Sequence, residues 1–290
     1  MEMGIDKLYS KRSVKQDAFA SIADFTPIEP TQLFDKFYFV GTKSVGALVI
    51  DTGDGLLMID TGWGEKDCSQ FAGDLKKSGL NPGNIKLILL SHEHLDHYGG
   101  VQYLQKEVCP RAKVAISTIA WNYLQARPAE PEGAPYSNPR PRSIDVFLTD
   151  GQKITLGNTE VRIVATPGHT PGCVSFIIPV TDHGKPHMTG IMGGTLLSLD
   201  RERAYLYKSS VDYFQKFTRE AKCDSGLAVH PWGFEETLAL ARKRKPGDPN
   251  PLVIGTDRFE SVYLQNYKDI FTETIEKLPP ETFPSPLSRK

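Results

Sequence analysis

The residues Ile85-Lys86-Leu87-Ile88-Leu89-Leu90 run straight into Ser91-His92-Glu93-His94-Leu95-Asp96-His97, and this junction constrains the fold more than any other stretch of the sequence. A short apolar run bounded by polar residues reads as a buried strand, so three imidazoles and a carboxylate are delivered together at its end. In an extended segment His92 and His94 point the same way, while Asp96 and His97, at the turn into the next helix, aim at a neighbouring point. Imidazole and carboxylate without thiolate form a donor set that suits Zn²⁺ ahead of iron or manganese. One segment of this kind can serve two ions. His169, in Thr166-Pro167-Gly168-His169-Thr170-Pro171-Gly172, follows the apolar residues 161–165, and His230 follows residues 226–229. The remaining histidines, His183 and His187, sit in a polar hairpin and read as solvated turn residues.

The candidate ligands come from both halves of a 290-residue chain, a length that would otherwise allow two ordinary domains. A shared site needs both halves folded together, which predicts one domain over residues 31–290 behind an extension at residues 1–30. Strands are expected at residues 37–40, 46–51, 56–60, 85–90, 113–117, 146–148, 161–165 and 174–179, with Asp54-Gly55 as a hairpin turn. Helices are expected around Cys68, Phe71 and Leu75, between Gly100 and Cys109, and at residues 211–221, 235–243 and 257–277. Residues 127–142 hold five prolines and read as a surface loop.

The composition excludes other classes. Lys plus Arg is 34 against 35 for Asp plus Glu, so no global charge recruits a polyanion such as nucleic acid. The basic run Arg242-Lys243-Arg244-Lys245 reads as the cationic end of a helix. No apolar stretch is long enough to cross a membrane, and no export signal is visible at the start. The four cysteines, Cys68, Cys109, Cys173 and Cys223, lie far apart. Free thiols and a cytoplasmic location are the expectation.

The segment from His92 to His97, His169 in its Thr-Pro-Gly-His-Thr-Pro-Gly loop, His230, and Asp60 with Gly62 in Leu57-Met58-Ile59-Asp60-Thr61-Gly62 together resemble the metallo-β-lactamase fold superfamily. The resemblance spans residues 27–277. It implies an α/β chain folded as a four-layer αββα sandwich, with metals at one edge. It further implies that His92, His94 and His169 hold one Zn²⁺, that Asp96, His97 and His230 hold a second, and that Asp60 supports them from behind. The chemistry implied is attack on a carbonyl carbon by a hydroxide held on the metals and oriented by Asp96.

Many relatives, such as glyoxalase II and the acyl-homoserine lactonases, bridge both metals with an Asp in a Gly-Asp-Thr type segment. Here that segment reads Met192-Gly193-Gly194-Thr195-Leu196, with Gly194 in place of the carboxylate. The pattern is most similar to the third subclass of metallo-β-lactamases, in which a hydroxyl residue at the Thr195 position supports bound water. This resemblance implies a small carbonyl-containing substrate, a cyclic amide first and a lactone or thioester second. Trp121 and Tyr136 are candidates for an apolar wall beside that substrate, with simple packing as the competing reading.

Overall fold

Alternation along the strands sorts the apolar residues into three cores and so sets the number of layers. The computed structural model describes residues 24–126, 140–194, 201–232 and 234–277. Its first sheet runs in the order β1 (Pro27–Phe34), β2 (Phe37–Thr42), β3 (Gly46–Asp51), β4 (Leu56–Ile59), β5 (Ile85–Leu89), β6 (Lys113–Ser117) and β7 (Val146–Leu148). Between these strands lie α1 (Glu65–Lys77) and α2 (Thr118–Ala126). The second sheet is built from β8 (Lys153–Leu156), β9 (Thr159–Ala165), β10 (Val174–Asp182), β11 (Lys185–Ile191) and β12 (Ser225–Leu227). Outside it lie α3 (Arg201–Ala221) and α5 (Gln265–Lys277), while α4 (Glu235–Arg242) packs on β1 with Leu238 in the core between the sheets.

On β3, Leu48 and Ile50 enter the core between the sheets while Ala47 and Val49 face the outer helices; on β4, Leu57 and Ile59 point inward, Leu56 and Met58 outward. The second sheet repeats the rule, with Phe176 and Ile178 inward and Ile177 against α3. A period of two that is apolar on both faces is what a sheet covered on both sides requires. The result is the expected four-layer αββα sandwich. The β1 to β4 pairings are antiparallel and those from β4 to β7 parallel. The parallel strands therefore finish at one edge. There Val174 N donates to Ser91 O (2.9 Å) and Gly46 N to Val229 O (2.8 Å), tying the two sheets together at the strand ends.

Several elements depart from the sequence expectation. Strand β1 begins at Pro27, inside the stretch expected to be an extension, and pairs with β2. Helix α3 starts at Arg201, ten residues before the expected 211. Its buried stripe is carried there by Ala204 and Tyr207, which register weakly as apolar. The expected helix over 257–277 contains a π-helical turn, Phe259–Leu264, before α5. Strand β8 and helix α2 were not anticipated. His183 does sit in the β10–β11 turn, with φ of 49° beside Gly184 at 75°. His187 is not a solvated turn residue. It lies on β11, and its Nδ1 is 2.6 Å from Asp224 Oδ2.

Candidate metal centre

Strand β4 ends at Ile59, and Asp60 then adopts a left-handed conformation (φ 60°), which Asp tolerates better than most residues. The turn sends its carboxylate beneath the end of β5. There Asp60 Oδ1 accepts from Ser91 N (2.8 Å), while Oδ2 takes the Ser91 hydroxyl (2.7 Å) and His97 Nδ1 (2.7 Å). Thr61 donates through both its backbone N and its Oγ1 to His97 O, each at 2.8 Å. The early Asp60-Thr61 segment thus fixes the turn that carries Asp96 and His97.

These contacts determine the tautomers. Ser91 Oγ has one proton and gives it to Asp60, so it accepts from His92 Nδ1 at 2.9 Å. His97 gives its Nδ1 proton to Asp60, and His230 gives its own to Ser44 O (2.8 Å). All three rings consequently turn Nε2 toward the centre. A buried carboxylate or carbonyl on one ring nitrogen is the usual way of fixing the other as a metal ligand.

The ring nitrogens of the five histidines and an Asp96 oxygen fall into two triangles. In the first, His92 Nε2, His94 Nδ1 and His169 Nε2 lie 3.2, 3.1 and 3.0 Å apart. In the second, His97 Nε2 and His230 Nε2 are 3.2 Å apart, and Asp96 Oδ2 is 3.3 and 3.5 Å from them. A tetrahedral ion at ~2.0–2.1 Å from each nitrogen has donor-to-donor edges of about 3.3 Å, so each triangle fits one face of a zinc tetrahedron and leaves a position over. The imidazoles of His92 and His97, one from each triangle, pack with centroids 3.9 Å apart. His94, Asp96 and His169 are only partly buried, which opens the pair of triangles to solvent on one side.

The electrostatics of the cluster follow from burial and from its two carboxylates, Asp60 and Asp96. Burial pushes His92 well below the usual imidazole range and pulls His230 down to about 4, which keeps both neutral and able to ligate. At His97 burial acts in the same direction, but the Asp96 and Asp60 carboxylates outweigh it and push the ring up to about 10. Burial opposes ionisation of Asp96, yet His97 and His230 hold its carboxyl well below the ordinary range.

The loop that carries His169 is held by residues the sequence reading passed over. Glu93 is fully buried and accepts from Thr170 Oγ1 (2.7 Å) and Gly172 N (3.4 Å). Its signal was available: in an extended His-Glu-His segment the middle residue must face away from both imidazoles. Ser91 and Ser44 left no comparable signal. Gly194 lies directly behind His169. Its φ is +71°, and an added Cβ would stand 2.4 Å from His169 Cβ and Cγ, so this backbone leaves no room for a carboxylate there. Thr195 and Tyr136 lie outside the described residues. Trp121 is partly buried against the apolar cluster between the first sheet and its helices. Trp232 stacks on His230 at 4.0 Å and 18°. Of the basic run, Arg244 pairs bidentately with Asp182 (2.9 Å for both contacts) and Arg242 Nη1 donates to Thr31 Oγ1 (2.6 Å).

Residues 40–183 match the Metallo-beta-lactamase superfamily. A solved subclass B3 metallo-beta-lactamase of Bradyrhizobium japonicum superposes with a TM-score of 0.73 at 27% identity, over 87% of this chain and 96% of that one. "Glyoxylase B2" of Dictyostelium discoideum is 36% identical over 39% of this chain, and an atrochrysone carboxyl ACP thioesterase of Passalora fulva is 30% identical over 67% of it. The chain spans 37% and 50% of the lengths of those two relatives. The family match across the first ligand segments and the superposition over both sheets lead to one conclusion: the chain belongs to the metallo-beta-lactamase superfamily.

Proposed function

We propose that the chain is a hydrolase that holds two Zn²⁺ ions, the first on His92, His94 and His169 and the second on Asp96, His97 and His230, and that it opens a cyclic amide of the β-lactam type. The observation that carries this reading is the pair of donor triangles, each with zinc-like edges, beside a Gly194 that excludes a bridging carboxylate. When bound, the metals supply Lewis-acid polarisation of the carbonyl and bring the pKa of water to about 7. The chain's own residues do the rest. Asp60 and Ser91 keep His97 and His92 in the tautomers that ligate. Asp96 gives Oδ2 to the second triangle, and its other oxygen holds and orients the attacking water. The fixed donors need no rearrangement as charge develops. The likeness to a subclass B3 enzyme over 87% of this chain supports an amide substrate.

A thioester is the second reading, favoured by the identity to the Passalora fulva thioesterase. Turnover of nitrocefin, a carbapenem, a lactone and an acyl thioester by the zinc-loaded chain separates the two. The first reading expects the highest kcat/KM on a β-lactam; turnover confined to the thioester or lactone would replace it. His92→Ala should abolish turnover while the chain stays folded. Among the described residues no helix is long and apolar enough to cross a membrane. The four cysteines are buried free thiols, which supports placing the chain in the cytoplasm.

A further inference from the structure

We infer that helix α3 is a positioning element for the first metal position, acting on His169 through its main chain. This rests on the metal reading proposed above. Arg203, Tyr207 and Ser210 recur at spacings of four and three on α3 and so form one row along the helix. Each donates to a carbonyl around His169. Arg203 Nη2 bonds His169 O (2.7 Å), Tyr207 OH bonds Gly194 O (2.8 Å), and Ser210 Oγ bonds Pro167 O (2.7 Å).

The contact is close as well as polar. A Cβ on Gly168 (φ +139°) would stand 2.4 Å from Tyr207 Cα and Cβ, so the loop backbone lies directly on the helix. Tyr207 also pins Gly194, whose backbone packs on the back of the His169 ring. Glu93 grips the far side of the loop through Thr170 and Gly172.

The other ligands differ in how they are held. His92, His97 and His230 are oriented by a hydrogen bond at Nδ1, from residues at the ends of the first sheet. The carbonyl of His169 is held by a helix on the opposite outer layer. No residue of the α3 row touches the second triangle through these bonds. Loosening the row therefore acts on one metal position and spares the other.

The test uses the full chain stripped of metal. Stepwise zinc affinities are measured against a chromophoric chelator, and the Co²⁺-loaded form is recorded as an absorption spectrum. Arg203→Met and Tyr207→Phe should each weaken one of the two positions by about tenfold or more, the size usual for a residue that orients a ligand, while the other stays within about twofold. Arg203→Lys, which keeps a donor, should recover most of the loss. Ser209→Ala, on the exposed side of the same helix with its hydroxyl on Tyr205 O, should change nothing. Unchanged affinities and spectrum in a folded Arg203→Met/Tyr207→Phe double variant would overturn the inference, as would equal losses at both positions. If the double variant does not fold, the two single variants decide by the same criteria. His169→Ala separates the two levels of argument. If it still binds two zinc ions, the metal reading fails; if it drops to one while the α3 variants keep two at wild-type affinity, only the role of α3 fails.

Discussion

Asp60→Asn changes one atom at a site where every proton is assigned, so its consequence can be worked out. Asn tolerates the left-handed backbone at this position, and the volume is unchanged. Only the hydrogen bonding differs. Asp60 accepts three donors, Ser91 N, Ser91 Oγ and His97 Nδ1, at 2.7 to 2.8 Å. If the Asn oxygen keeps Ser91 N, its NH₂ faces His97 Nδ1 and Ser91 Oγ. The neutral His97 ring, the form that ligates, must then carry its one proton on Nε2, inside the second triangle. Ser91 must accept from the amide and turn its own proton toward His92, which drives the His92 proton into the first triangle. If the Asn is flipped instead, its NH₂ abuts the Ser91 backbone N–H, and a buried donor is left unpaired at a cost of about 1–3 kcal/mol. Neither placement preserves the present arrangement. A lost orienting partner typically weakens a metal site about 10–100-fold, equivalent to ~1.4–2.8 kcal/mol, and a hydrogen bond to a charged group is worth about 1.5–3 kcal/mol. The two routes agree. Zinc competition in His169→Ala and His230→Ala backgrounds reads each position separately, and thermal unfolding reads stability. Zinc affinities within twofold of the parent, together with an unchanged Tm, would refute the tautomer argument.

Other outcomes follow from the same geometry. Gly194→Ala places a Cβ 2.4 Å from the His169 ring where about 3.5–4.0 Å is comfortable, so bound zinc should fall from two to one per chain. Gly194→Asp should fail in the same way and create no bridging ligand; metal analysis showing two zinc ions in either variant would contradict this. Zinc uptake should tighten as pH rises from 6 to 9, by about tenfold per unit for each proton displaced, because His97, raised to about 10, must lose its proton to ligate; a pH-independent affinity would exclude that state. Chelation should lower Tm as well as activity, since zinc at a hundredfold over its Kd adds ~2.7 kcal/mol to the folded state. Burial raises the Cys68, Cys109, Cys173 and Cys223 thiols, Cys109 to about 12. A disulfide reagent at pH 8 should therefore find no fast thiol in the native chain and four in denaturant.

What the sequence made legible follows from the range of each interaction. The layers were readable because burial on both faces of a strand writes itself into every residue of that strand, and the six candidate donors were readable because they crowd at strand ends. Ser91, Ser44, Arg203 and Tyr207 were not. Their partners lie elsewhere in the sequence: Arg203 acts on a carbonyl 34 residues away, Ser44 takes His230 from 186 away, and Ser91 links its neighbour His92 to Asp60, 31 residues away; no periodicity records such a pairing. Strand β1 was missed at Pro27 for a related reason. Pro27 and Pro30 look like breakers, yet an edge strand tolerates proline because its outer N–H groups have no partner to lose. The extent of α3 was hidden because its inner face near Arg203 is built from Ala, Tyr and hydrogen-bonding tips in place of a leucine stripe.

The two proposed metal positions are braced from different parts of the sandwich. The second triangle is braced wholly from the first sheet and the seam: Asp60 beneath His97, Thr61 on its carbonyl, Ser44 on His230, and Gly46 N on Val229 O just before that ligand. Each triangle straddles both sheets, the first with His92 and His94 from the end of β5 and His169 from the end of β9, the second with Asp96 and His97 beyond β5 and His230 beyond β12; Val174 N on Ser91 O and Gly46 N on Val229 O join the sheets there. A shift of one sheet against the other would therefore pull His169 away from His92 and His94, now about 3 Å apart, and His230 away from Asp96 and His97. Two candidate ligands thus reach across the seam and are held differently: His230 by its Nδ1 on Ser44 O and by Gly46 N on Val229 O, and His169 by its main chain, with Glu93, Gly194 and α3 around it.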